Sequence, residues 1–152
     1  MPTECGTVIR KGKSYSQNAE VVDLLHAAGA LVMGKTTTSE LAYLGPSKTT
    51  NPHDYSRTPG GSSSGSAASV ASLMAPLSIG SQTGGSIIRP ASYCGVVGYK
   101  PSYGLISRNG VLRTSYTLDH IGMFGRTVED VCLLYTSPSP RDLSTSRMPS
   151  SA

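Results

Sequence analysis

Apolar residues recur at helical spacing in residues 19–28 (AEVVDLLHAA), where Val21, Val22, Leu24, Leu25 and Ala28 fall on one face. Gly29 follows as a C-terminal stop. Ala30–Met33 is a short unbroken apolar run, the pattern of a buried strand. Thr37-x-x-Glu40 then reads as a capping box opening a second short helix that reaches about Tyr43. From Gly45 to Gly61 the chain is polar and broken by Pro46, Pro52 and Pro59, so a loop is expected.

Residues 64–75 (SGSAASVASLMA) are small and apolar with no charge, which predicts a helix packed closely inside the protein. Leu77–Ile79 reads as a second buried strand, Gly80–Ser86 as a Gly/Ser/Thr turn, and Gly95–Tyr99 as another short strand. Thr127-x-x-Asp130 predicts an N-cap before a final helix, VCLLY. Helices and strands alternate, so the fold class expected is α/β.

Beyond Tyr135 the pattern stops. In residues 136–152, eleven of seventeen are Ser, Thr or Pro, too few apolar side chains to bury a face. The segment also resembles translated adaptor sequence from cDNA cloning. The expected organisation is one partial domain over residues 1–135 and a disordered tail over 136–152 that is not native to it.

Composition narrows the function classes. With 152 residues there is room for one core. Charged residues are 14% of the chain and the net charge of +4 is scattered, apart from Arg10, Lys11 and Lys13. No aromatic platform accompanies them, so they read as a solvated face and nucleic acid is not an expected partner. Three widely spaced cysteines, Cys5, Cys94 and Cys132, form neither a disulfide framework nor a CxxC site. His26, His53 and His120 lack ligand spacing, so no metal and no cofactor are expected. Neither a signal peptide nor an apolar run of membrane-spanning length is visible, which makes a cytoplasmic setting the default and a membrane no expected partner.

Gly29-Ala-Leu-Val-Met-Gly34-Lys35-Thr36 matches the phosphate-loop pattern GxxxxGK[ST] letter for letter. That loop works by wrapping flexible backbone N–H groups around a phosphate between a strand and a helix. Here a helix pattern precedes it and its middle residues are strand-like and apolar. The nucleotide reading fails on context.

A different pair of segments carries chemistry. Pro59-Gly-Gly-Ser62-Ser-Ser64-Gly-Ser66 is followed by Gln82-Thr83-Gly84-Gly85-Ser86-Ile-Ile-Arg89-Pro90. An amide carbonyl is a poor electrophile, so its cleavage needs an activated hydroxyl and donors for the developing oxyanion. A turn through Thr83-Gly84-Gly85 to Ser86 can point several backbone N–H groups at one oxygen, with no side chain from its glycines in the way. A second serine beside the first can relay its proton. Read by richness in Gly and Ser alone, the same segments are two flexible turns.

Together with the Ala-Gly-Ala helix end, Gly34-Lys35-Thr36 and Cys94-Gly-Val-Val-Gly-Tyr-Lys100-Pro101, these segments resemble the amidase signature family from about Pro2 to Leu134. That family consists of serine hydrolases with a Ser–Ser–Lys triad on a mixed sheet covered by helices. The resemblance makes Ser86 the acylated nucleophile and Ser62 the bridging serine, which follows a cis peptide bond. It makes the N–H groups of Thr83, Gly84, Gly85 and Ser86 the oxyanion hole. Arg89 stands where some members bind an acidic substrate group, and a structural role pinning the turn fits it equally well. Ser64 occupies a place where glycine is common in the family.

The family's lysine base lies upstream of the segment resembling Pro2–Gly6, before Met1 in this numbering. Lys11 and Lys13 do not match it, Lys35 matches a structural position, and Lys100 follows the nucleophile. The function expected of the parent is hydrolysis of amide C–N bonds in a small-molecule substrate, with little or no hydrolase activity in this fragment. The alternative is a non-catalytic binding or interaction protein on an amidase scaffold. Nothing in the pattern sets an oligomeric state.

Overall fold

The computed structural model describes residues 1–136. The expected tail, apart from Thr136, lies outside the described residues. Four helices and three strands follow in the order α1 (Glu20–Ala27), α2 (Ser64–Ala71), β1 (Leu77–Gln82), α3 (Ile88–Cys94), β2 (Val97–Tyr99), β3 (His120–Gly125) and α4 (Val128–Thr136). Short 3₁₀ turns sit at Val8–Arg10 and Glu40–Ala42.

The fold is α/β, with one antiparallel sheet among the described residues in the order β1-β3-β2. Gln82 faces His120 at one end of the β1–β3 ladder and Leu77 faces Gly125 at the other. On β2, Val97 also faces Gly125. Because side chains alternate across a strand, β3 feeds two cores. Ile121 and Met123 join Val21, Leu25, Val131 and Leu134 on one side, while Phe124 joins Ala67, Val70, Ile87, Ala91 and Cys94 on the other. The sheet is thus the middle layer.

Glycine and alanine let the second side pack closely. A Cβ on Gly122 would lie 2.3 Å from the Tyr99 carbonyl oxygen, and one on Gly98 would lie 2.5 Å from the Ala91 Cβ. Only a bare Cα fits between β2, β3 and α3 at those points.

Several expected elements are present. The amphipathic pattern becomes α1, with Val21 and Leu25 buried four residues apart and Gly29 closing it at φ +87°. The small apolar run becomes α2, which stops at Ala71 because Leu73 adopts φ +61°. At α4 the capping box is reciprocal: Asp130 N–H donates to Thr127 Oγ1 and Thr127 N–H donates to Asp130 Oδ2.

Two expectations are corrected. Ala30–Met33 is not a buried strand, since no strand among the described residues pairs with it and Leu31 is 91% exposed. The Thr37 capping box starts no α-helix. Leu41 and Ala42 hold φ of +50° and +60°, which end the turn after Glu40–Ala42. Thr37 instead runs beside the serine loop, where its carbonyl accepts from Gly65 N–H and its hydroxyl pairs with that of Thr49.

Two elements went unread in the sequence. In β3, Gly122 and Gly125 dilute the apolar signal, and in α3, Pro90 reads as a breaker. Proline is tolerated there because the first-turn N–H groups of a helix have no intrahelical acceptor.

Candidate active site

The two serines each stand one residue before the N-cap of a helix. Ser62 precedes Ser63, the cap residue of α2, and Ser86 precedes Ile87, the cap residue of α3. One hydrogen bond brings the segments together, from Ser63 N–H to the Ser86 carbonyl at 3.3 Å.

Ser62 is held through its backbone. The Gly61–Ser62 peptide is cis, as the family resemblance implied. The Ser62 carbonyl accepts from Ser39 N–H at 3.0 Å, Thr38 Oγ1 at 3.0 Å and Ser64 Oγ at 3.2 Å. The adjoining loop is tied to β1, because Ser63 Oγ donates to the Ser81 carbonyl and accepts from Ser81 N–H, both at 3.2 Å. By contrast, the Ser62 side chain is unengaged. The residue is 4% exposed, and its Oγ is the one buried side-chain oxygen or nitrogen among the described residues without a hydrogen-bond partner. Such a group normally carries a partner, because desolvating it unpaired costs about 1–3 kcal/mol.

Ser86 is half-buried at the end of the Thr83–Ser86 turn. Among the described residues, the four N–H groups of that turn donate no hydrogen bond, and neither does the Ser86 hydroxyl. A Cβ on Gly84 would meet nothing within 4 Å, so the turn opens onto free space. The Ser62 and Ser86 hydroxyls are not hydrogen-bonded to each other. Arg89 is exposed, and its guanidinium overlies the turn: a Cβ on Gly85 would come within 3.1 Å of its Nη2. Arg89 N–H donates to the Gly85 carbonyl at 2.8 Å, while its guanidinium makes no hydrogen bond among the described residues.

Sequence reasoning passed over two groups that shape this turn. Buried Gln82 accepts at Oε1 from Ile87 N–H (2.8 Å) and Ile88 N–H (3.0 Å), closing the loop between β1 and α3. Its signal was a long polar acceptor at the seam between a strand and a helix start. At the other end, Thr83 Oγ1 donates to Asp119 Oδ1 at 2.5 Å. Burial pushes the Asp119 carboxyl upward, but hydrogen bonds from Thr83, Ser115 and Thr114, with the Arg108 charge, outweigh it and hold the group below its ordinary value. No local pattern announces this pairing, because the partners lie 36 residues apart.

Three further polar side chains are tied into the structure. Lys35 donates to the Met1 and Pro2 carbonyls and the Thr3 hydroxyl, and Lys100 donates to the Pro101 carbonyl. His53 Nε2 bonds the Cys94 carbonyl at 2.9 Å. The described residues bring together no group of His, Cys, Asp or Glu able to hold a metal ion, and no helix among them is long and apolar enough to cross a membrane.

Known proteins resemble this chain in sequence and fold. The model of the amidase family matches residues 1–151. A glutamyl-tRNA(Gln) amidotransferase subunit of Symbiobacterium thermophilum is 47% identical across 93% of this chain and 31% of its own length. The crystal structure of the corresponding Thermotoga maritima protein superposes with a TM-score of 0.88 at 43% identity, covering 93% of this chain and 33% of that one. Native peptide amidase from Stenotrophomonas maltophilia superposes with a TM-score of 0.87 at 38% identity, covering 100% of this chain and 34% of that one. The chain therefore spans about a third of the length of these relatives. With sequence and fold agreeing over nearly all its residues, the chain belongs to the amidase family.

Proposed function

We propose that this chain carries the serine side of an amide-hydrolysing site, with Ser86 as nucleophile and Ser62 as the bridging serine. The observation that carries the reading is the buried Ser62 Oγ, unpartnered among the described residues, beside an open turn whose four N–H groups have no acceptor among them. A buried hydroxyl left without a partner, next to donors left without an acceptor, is the arrangement that proton relay and oxyanion binding require.

In this scheme Ser86 Oγ adds to the amide carbonyl carbon and gives its proton to Ser62 Oγ, which passes its own proton to a base. The oxyanion sits against the N–H groups of Thr83, Gly84, Gly85 and Ser86. Collapse of the tetrahedral intermediate breaks the C–N bond as the amine leaves with the relayed proton, and water then hydrolyses the ester on Ser86. Arg89, whose guanidinium lies over the turn and makes no hydrogen bond among the described residues, meets an acidic part of the substrate in this scheme.

The base is assigned outside residues 1–136, since no lysine among them bonds Ser62 and both Lys35 and Lys100 are occupied by backbone carbonyls. The parent's substrate is a small amide, and this polypeptide alone turns it over little or not at all. The partial domain is assigned to residues 1–135 and the non-native tail to 136–152.

A fluorophosphonate probe with mass spectrometry tests the assignment. A slowly formed adduct on Ser86, absent in Ser86→Ala, is expected, with turnover of simple amides at background. An adduct elsewhere overturns the nucleophile, and no adduct favours a scaffold that binds without catalysing. Amide turnover that vanishes in Ser86→Ala overturns the missing base.

A further inference from the structure

We infer that Asp119 is a positioning residue for the oxyanion turn, acting through Thr83; the inference rests on the proposed role of Ser86. Thr83 and Asp119 are the next positions beyond the last ladder pair, Gln82↔His120. Backbone pairing ends there, and the Thr83 Oγ1 to Asp119 Oδ1 bond continues the cross-strand link by one step. It is the sole side-chain hydrogen bond made by Thr83–Ser86 among the described residues.

The far end of the turn is anchored separately, by Gln82 on Ile87 and Ile88 and by Ser63 N–H on the Ser86 carbonyl. Between these anchors lie Gly84 and Gly85, which have no side chains to restrain them; the Gly85 carbonyl accepts from Arg89 N–H at 2.8 Å, whereas Gly84 makes no hydrogen bond among the described residues. Glycine keeps more backbone freedom than any other residue, so the direction of the turn's N–H groups depends on how its two ends are held. Asp119 holds the entry end.

The carboxylate is itself fixed. Asp119 Oδ2 accepts from Thr114 N–H at 2.7 Å and Ser115 N–H at 2.9 Å, and Asp119 N–H donates to the Ser115 carbonyl at 3.3 Å. Arg108 Nη1 then binds the Asp119 and Tyr116 carbonyls, tying the 114–119 loop to its neighbour. Both carboxylate oxygens accept, which an amide cannot do: the NH₂ of an asparagine would oppose either the Thr83 hydroxyl or the Thr114 and Ser115 N–H groups.

Backbone ¹⁵N relaxation on the full chain tests this. In the wild type, Gly84, Gly85 and Ser86 are expected near the rigid order parameter of about 0.85, and in Thr83→Val and Asp119→Asn near or below about 0.6. Thr83→Ser, which keeps the hydroxyl, is expected to retain the wild-type values, and amides of β1 and β3 are expected to stay rigid in all variants. Phosphonylation of Ser86 should slow about tenfold or more in Thr83→Val and Asp119→Asn, as misplaced donors lose the oxyanion, and recover in Thr83→Ser. Unchanged order parameters at Gly84–Ser86 in Thr83→Val, with the sheet intact, overturn the inference. Should Asp119→Asn fail to fold, the near-isosteric Thr83→Val decides. Absence of any Ser86 adduct in the wild type sinks the nucleophile reading alone, because the relaxation data do not depend on it.

Discussion

Gln82 and Ser62 are both buried polar residues, and they differ in whether the side chain has a hydrogen-bond partner. Gln82 is satisfied, its one oxygen serving two N–H groups at the start of α3. Replacing it with leucine keeps the bulk and removes the acceptor, leaving the buried Ile87 N–H unpaired. That change is expected to cost about 2 kcal/mol, read as a lower urea midpoint at unchanged slope. Ser62 is unsatisfied in its side chain and triply satisfied at its carbonyl, so its backbone is set while its hydroxyl stays available. The serines themselves were legible only through the family resemblance of their segments, since richness in Gly and Ser alone reads as two flexible turns. Their surroundings were not, since Thr38, Ser39 and Asp119 reach the site from distant segments and carry no local signature.

At the level of elements, legibility followed how local the cause is. The α4 start is written in four consecutive residues, Thr127 to Asp130, and the structure repeats it bond for bond. In α1 the apolar spacing and the terminal glycine sufficed. β3 lacked such a signal, because the residues that let it pack are glycines that no periodicity count registers. Gly122→Ala should show what they do. Its Cβ would overlap the Tyr99 carbonyl at 2.3 Å, and that backbone can move only by parting β2 from β3. A loss of about 1–3 kcal/mol is expected in chemical denaturation. Gly84→Ala, whose Cβ meets nothing within 4 Å, should stay within about 0.5 kcal/mol.

For the whole molecule the two-sided sheet explains why a short chain has a core at all, with Met123 and Phe124 fully buried on opposite faces of β3. Apolar surface nonetheless remains outside it. Val8, Ile9, Leu31, Leu44, Leu73 and Met74 are each more than two-thirds exposed, and among the described residues β1 and β2 both end the sheet as edges. Exposed apolar side chains and free strand edges favour association over an isolated monomer. Calorimetry is expected to give a broad, low-temperature transition, and light scattering an apparent mass that rises with concentration. A sharp cooperative melt from a strictly monomeric sample would contradict this.

By itself the sequence determined what depends on neighbours in the chain: α1 with its glycine stop, the capped start of α4, the small-residue helix α2, and two Gly-Ser turns that resemble the signature of the amidase family. Tertiary structure decided whether each apolar run found a partner. It left Ala30–Met33 unpaired, made His120–Gly125 the central strand, and set Asp119 against Thr83 across 36 residues. The reason is physical. Caps and turns close over a few residues, whereas a ladder or a carboxylate–hydroxyl bond between remote positions forms only after distant segments meet, and its energy is shared among groups that no local window contains.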